Sequence, residues 1–169
     1  MSFLTRRPFL LALAIAATSV STHLPDMAFA GEAAGKMEHK GANVTLKFAY
    51  LVKGPDAVEP EKIIRKLILS ATDLGAKIQA CANMSCTDRD LGDGMTVDFD
   101  AGPRLNYWMV RNGARIQHSG TQRPSAFVAK ADDATHLAGK LSFDDTGSGG
   151  PKLDVTFDAT LLKELKAAR

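Results

Sequence analysis

The feature that most constrains this chain is a period-two alternation of apolar and polar side chains. It is clearest in NVTLKFAYLVKG, where Val44, Leu46, Phe48, Tyr50 and Val52 recur at every second position. Such alternation predicts a strand with one buried face. The pattern returns in MTVDFD, LNYWMV, HLAGKLSF and KLDVTFDA, and the β-branched run IIRKLILS predicts one further strand. The chain is therefore expected to fold as an all-β protein.

Turn signals indicate how these strands pair. Asn112-Gly113 lies between two β-rich runs, and both residues tolerate the positive φ that a two-residue type I′ hairpin requires. Short connections favour antiparallel pairing, because parallel neighbours need long crossovers. About seven strands with one short helical insert, in ATDLGAKIQACAN, predict a two-sheet antiparallel β-sandwich that is loosely Ig-like. A small β-barrel is the alternative.

The first 30 residues carry a different pattern. Arg6-Arg7 precede an apolar run from Phe9 to Ala17, and Ala28-Phe29-Ala30 offers a small-x-small cleavage site. The run is much shorter than the roughly 20 residues that span a bilayer. The pattern predicts a cleaved signal peptide over 1–30 and a mature chain that starts at Gly31. The mature protein is then expected to be periplasmic or secreted, without stable membrane association.

The stretch Thr5-Arg6-Arg7-Pro8-Phe9-Leu10 resembles a twin-arginine signal, which implies export of a folded protein. Leu11 stands where the usual lysine would follow, and the strong apolar core is typical of the general secretory route. Both the Sec and the Tat route therefore remain open.

The mature chain divides into two predicted parts. Residues 31–42, GEAAGKMEHKGA, are small and polar and predict a flexible leader, and residues 43–169 form the β-sandwich domain. Residues 1–30 hold two of the 21 basic and one of the 19 acidic residues, so the mature chain has a net charge of about +1. This balance gives no reason to expect a nucleic-acid partner.

The two cysteines, Cys81 and Cys86, lie in IQACANMSC. In an oxidising compartment such a pair predicts a disulfide. Closing so short a loop stabilises by about 2 kcal/mol, so its expected role is to pin the end of the helical insert. The alternative is a periplasmic copper-binding protein, because Cys81, Met84 and Cys86 are soft ligands suited to Cu(I) and the leader adds Met37 and His39.

Other polar motifs predict turns and faces of strands. Asp88, Asp90 and Asp93 only partly match the spacing of a calcium loop. His118 and Ser119 are adjacent on a strand and therefore face opposite sides, so they do not predict a catalytic dyad. We predict no catalytic residue and no cofactor, and hence a protein that is not an enzyme.

A candidate binding surface lies in GPRLNYWMVRNG. Alternation places Leu105, Tyr107 and Met109 on one face of the strand. The other face carries Arg104, Asn106, Trp108 and Val110. If the first face is core, Trp108 is accessible, and an accessible Trp beside Arg is typical of binding hot spots. The alternative places Trp108 in the core. The sequence therefore predicts an exported, non-enzymatic protein that binds a protein partner or a small ligand.

Overall fold

The computed structural model describes residues 31–113 and 116–169, so the predicted signal peptide lies outside the described residues. This part of the chain contains nine strands: β1 Gly31–His39, β2 Ala42–Pro55, β3 Ile63–Ser70, β4 Gly94–Phe99, β5 Leu105–Val110, β6 His118–Gln122, β7 Phe127–Asp132, β8 His136–Asp144 and β9 Lys152–Glu164. One short helix, α1, spans Gly75–Ala80. Single 3₁₀ turns occur at Met84–Cys86, Pro124–Ala126 and Thr146–Ser148.

All nine strands belong to one sheet in the order β6-β5-β4-β3-β2-β1-β9-β8-β7, with antiparallel neighbours. The first strand, β1, lies in the middle between β2 and β9. Next to the Gly31–Ala49 pair, β2 and β9 pair directly and in parallel, starting at Leu51 and Leu161.

The connection between the two edge strands requires this sheet to curl. Laid flat, nine strands would separate β6 from β7 by roughly 38 Å, at about 4.8 Å per gap. Only residues 123–126 join Gln122 to Phe127, and that link reaches at most about 19 Å. The curled sheet is held by Arg65, whose guanidinium pairs with Asp100 at 2.6 Å and with Asp132 of β7 at 2.6 Å. The result is a half-barrel, in which β6 and β7 remain the ends of the strand order among the described strands.

The prediction of a two-sheet sandwich is therefore wrong, although the all-β class is confirmed. The physical reason is that β1 pairs on both of its sides. Together with the direct pairing of β2 and β9, it joins the meander β1 to β6 to the meander β7 to β9 in one sheet. Curvature of a single sheet then encloses the core that two facing sheets were expected to enclose.

The concave face of the sheet holds the main core. Leu67, Met95 and Met109 are fully buried there, on three successive strands. Aromatic rings connect the two arms of the curl: Phe99 lies 5.4 Å from Phe127, edge to face. Leu105, Tyr107 and Met109 share one face of β5, and that face is the one packed into this core.

A second, smaller core lies on the outer face of β2 and β3. The insert between β3 and β4 covers it, with Leu74 and Ile78 packed on Tyr50, Val52 and Ile68 (the remaining members are Ile64, Met84, Leu91 and Leu165). The insert contains α1 near its predicted place. The helix begins after Leu74, and Asp73 Oδ1 accepts hydrogen bonds from Tyr50 Oη at 2.7 Å and Gly75 N at 2.8 Å.

The flexible leader expected over residues 31–42 is wrong for Gly31–His39, which is strand β1. The first three of its five inward positions are small, and a Cβ at Gly31 or at Gly35 would overlap backbone atoms of β9. Met37 is fully buried in the main core. Small inward residues let β1 fit closely between two strands, and they also hide the alternation that marks a strand.

The prediction of a two-residue hairpin after β5 is wrong. Asn112 and Gly113 have the expected positive φ, 57° and 61°. However, Met109 pairs with His118, so the turn between β5 and β6 is longer than two residues.

Candidate functional site

A cleft of about 610 Å³ opens on the outer face of β3, β4 and β5, beside the second core. Sheet register builds its floor in two rows. Lys66, Asp98 and Asn106 lie side by side across the three strands, and Thr96 and Trp108 form the next row. All five side chains line the cleft, because each lies on the face opposite the main core.

Loops form the walls of the cleft. The β2–β3 loop contributes Asp56 to Glu59, and the end of the insert contributes Asp88, Arg89 and Leu91. Val58 and Ile116, at the rim, are 85% and 55% exposed. Exposed apolar side chains around a concave, Trp-lined cleft are typical of a binding site.

Asp98 is the unusual member of the floor. Only 6% of the residue is exposed, and its Oδ1 has no hydrogen-bond partner among the described residues. A buried carboxylate oxygen without a donor costs free energy, typically about 1–3 kcal/mol and more when charged. Burial raises the pKa of Asp98 to about 6; the Lys66 ammonium opposes the rise, and the Asp56 and Asp88 carboxylates add to it.

Lys66 acts on Asp98 through its charge but is bonded to another carboxylate. Its Nζ lies 3.2 Å from Asp88 Oδ2 and makes no hydrogen bond to Asp98. The Asp56 carboxylate instead accepts hydrogen bonds from Val58 N at 2.7 Å and Glu59 N at 2.9 Å, which hold the β2–β3 loop. The wall carboxylates thus have partners, whereas Asp98 Oδ1 on the floor has none among the described residues.

The disulfide predicted between Cys81 and Cys86 is confirmed, with a Cα–Cα distance of 5.5 Å. It joins the end of α1 to the 3₁₀ turn at Met84–Cys86. The C-terminal segment holds the same turn, because Met84 N donates to Ala167 O and Ser85 N to Ala168 O, both at 3.0 Å. The disulfide therefore fixes the part of the insert that leads into the cleft wall at Asp88 to Leu91.

No protein-family model, curated protein or solved structure matches this chain. The chemistry of the cleft is therefore the basis for a function. Within residues 31–113 and 116–169, no helix has the length and apolar character needed to cross a membrane.

The structure brings together two of the three residues of the predicted binding surface. Asn106 and Trp108 are half-buried and lie on the cleft floor. Arg104 precedes β5 and is exposed outside the cleft, where its guanidinium donates to Thr121 O at 3.3 Å. Trp108 is accordingly neither a core residue nor fully exposed, and one side of it faces the cleft.

The five residues of the copper alternative are not brought together. Met37 lies in the main core and Met84 in the second core, on opposite faces of the sheet. Cys81 and Cys86 are bonded to each other, which removes the thiolates that would hold a soft metal. His39 Nε2 lies 3.2 Å from Gly149 O.

The acidic loop DRDLGDG does not converge on one point. Asp88 pairs with Lys66, Asp90 with Lys77 at 3.4 Å, and Asp93 Oδ1 accepts from Asn112 N at 2.8 Å. In the described part of the chain, no group of three His, Cys, Asp or Glu residues is placed to hold a metal ion.

Sequence reasoning missed Asp98 and Lys66 as site residues. The alternation in MTVDFD placed Asp98 on the outward side of its strand, and that assignment is right. An outward position in a strand predicts exposure to solvent, whereas the insert and the β2–β3 loop cover Asp98. An acid flanked by Val97 and Phe99 within a strand was the available signal.

Proposed function

We propose that this protein is an exported, non-enzymatic β-sheet protein that binds a small ligand in the cleft over β3, β4 and β5. The observation that carries the proposal is a concave site of about 610 Å³ with Trp108 on its floor and apolar side chains at its rim. Small-molecule sites usually have volumes of roughly 300–1,000 Å³ and combine apolar walls with a few polar groups.

A small ligand fits this geometry better than a protein partner. A stable protein interface buries about 800 Å² on each side, over a broad patch. Here the apolar side chains surround a depression, and the polar groups Thr96, Asp98 and Asn106 lie at its bottom. A molecule that enters the cleft lies directly over these groups, whereas a surface that rests on the rim stays remote from them.

The test uses a neutral apolar dye, N-phenyl-1-naphthylamine, whose emission rises in an apolar site. We expect one dye to bind per protein and to quench Trp108, the single tryptophan. Trp108→Ala removes a large part of the floor and should weaken dye binding at least about tenfold. Val128→Ala is the matched control, because Val128 is 68% exposed on β7 and outside the cleft.

Equal dye binding by wild type, Trp108→Ala and Val128→Ala would contradict the proposal. Loss of binding in both variants would also contradict it, since the dye would then report a general change in the protein. A loss confined to Trp108→Ala supports the cleft as the binding site.

Export is the second part of the proposal, and the fold offers two supporting observations. Next to the Gly31–Ala49 pair, β2 and β9 pair directly with each other, and Gly31 is where the expected cleavage would begin the mature chain. The disulfide between Cys81 and Cys86 is typical of oxidising compartments.

We expect the protein recovered from its periplasmic fraction to start at Gly31. Its intact mass should be two hydrogens below the reduced formula, because the disulfide is closed. Intact-mass and N-terminal analysis measure both features. An N-terminus at Met1, or cleavage inside β1, would contradict the predicted signal, and two titratable thiols would contradict oxidation in the cell.

A further inference from the structure

We propose that the ligand of the cleft presents a protonated amine to Asp98 and a flat apolar or aromatic group to Trp108. This inference rests on the proposed function and specifies the chemical class of the ligand. Three observations carry it: the unpartnered carboxylate oxygen, the charge of the cleft lining and the spacing of the two residues.

The first observation is the buried oxygen. Asp98 is 94% buried because only 6% of the residue is exposed, and its Oδ1 has no donor among the described residues. The nearest ammonium on the floor, Lys66 Nζ, is bonded to Asp88. A ligand N–H can supply the missing hydrogen-bond donor, and a charged donor makes the strongest hydrogen bond to a carboxylate.

The second observation is charge. The described lining of the cleft carries four acidic and two basic residues, a formal charge of −2 when all are ionised (Asp56, Glu59, Asp88 and Asp98 against Lys66 and Arg89). The whole chain has a formal charge of +2. The net charge of the cleft is thus opposite in sign to that of the whole chain, which favours a cationic ligand over an anionic one.

The third observation is spacing. Asp98 pairs with Asn106, and Trp108 lies two residues further along β5 on the same face. Diagonal neighbours of this kind are about 7–8 Å apart. An amine separated from an aromatic ring by two or three carbon atoms can reach both residues together.

Three probes of similar size test the amine. They are 2-phenylethylamine, the neutral 2-phenylethanol and the anionic 3-phenylpropanoate, each titrated by calorimetry and by Trp108 emission. We expect the amine to bind at least about tenfold more tightly than the alcohol, as a charge-assisted hydrogen bond predicts, and the anion most weakly.

Asp98→Asn keeps the shape of the side chain and removes its charge. The variant should bind the amine no more tightly than the alcohol, while its affinity for the alcohol stays unchanged. Asp154→Asn is the matched control, because Asp154 is an exposed strand carboxylate paired with Lys140 at 3.0 Å, and it should bind all three probes as wild type does.

The Tm of the Asp98→Asn variant shows whether it folds and whether the charge of Asp98 serves the fold or the ligand. Removing a buried, unpartnered charge should raise the Tm of the ligand-free protein at pH 7.5 by about 2–4 °C. A lower Tm would contradict the proposal, because Asp98 would then serve the fold.

The pH dependence of amine affinity is an independent test of the hydrogen bond between Asp98 and the amine. The pKa of Asp98 is about 6, so amine affinity should fall about tenfold from pH 7 to pH 5 as the carboxylate takes up a proton. The charged groups that face Asp98 are Lys66 from β3, Asp56 from the β2–β3 loop and Asp88 from the insert, and β5 contributes the neutral Asn106. Binding of the alcohol should not change, and an equal fall for both probes would count against Asp98.

The outcomes separate this inference from the proposed function. If none of the three probes, nor the neutral dye, binds the wild type, the cleft is not a ligand site and both proposals fail. If the alcohol or the anion binds as tightly as the amine, the cleft binds ligands and the amine inference alone is overturned. Amine binding that survives Asp98→Asn overturns it in the same way.

Discussion

Replacing Met109 with Ala is expected to lower the free energy of unfolding by about 2–5 kcal/mol. Met109 is fully buried in the main core and pairs across the sheet with Met95, which is also fully buried. Truncation removes buried methylene groups and leaves a cavity that a close-packed interior only partly refills. Urea unfolding, followed by circular dichroism, measures the loss.

Trp108→Ala is the matched control from the adjacent position of the same strand. Its side chain faces the cleft, so the expected loss of stability is about 1 kcal/mol or less. Equal losses from the two variants would mean that both faces of β5 are core and that the cleft is filled in solution.

Replacing Gly35 with Ala is expected to cost about 3 kcal/mol, or to prevent folding. A Cβ at this position would overlap Asp154 O and lie 2.5 Å from Val155 Cα, and both atoms belong to the backbone of β9. Backbone atoms cannot move aside as the end of a side chain can, so β1 would have to separate from β9. The same unfolding experiment measures the effect.

Gly147→Ala provides the comparison for Gly35. No heavy atom lies within 4 Å of a Cβ at Gly147, and its φ is not in the left-handed region, so the change should be neutral or slightly stabilising. A Gly35→Ala protein as stable as Gly147→Ala would contradict the placement of β1 in the sheet.

Strands with large apolar residues at alternate positions could be predicted from the sequence. The run IIRKLILS corresponds residue for residue to β3, and the other alternating segments became β2, β4, β5, β8 and β9. β1 was missed because glycine and alanine occupy its first three inward positions, so that no row of large apolar side chains marks the strand. β7 was missed because it is an edge strand whose side chains are mostly exposed, which leaves no buried period of two.

The arrangement of the strands depends on pairings that local patterns do not encode. A single curled sheet and a two-sheet sandwich need the same alternation, since each encloses one apolar face. What distinguishes them here is the pairing of β1 with both β2 and β9, between residues as distant in sequence as Glu32 and Asp158. Without a correct assignment of β1, this pairing could not be found.

The candidate site was predictable only in part, for a related reason. The alternation in β5 placed Asn106 and Trp108 on one face without deciding which face is core, and both residues line the cleft. Asp98 was placed on the correct face of β4, yet its burial depends on the insert and the β2–β3 loop, which come from other parts of the chain. Periodicity predicts which way a side chain points, and tertiary packing decides what covers it.

The central position of β1 has a consequence for biosynthesis and folding rate. β1 is near the start of the chain, and one of its two neighbours, β9, is near the end. The hairpin of β1 and β2 can form early, but one edge of β1 stays unpaired until β9 has been synthesised. Contacts of such high sequence separation slow folding, and an open edge in the meantime can pair with another chain. The sheet of this protein therefore cannot be completed before β9 has left the ribosome.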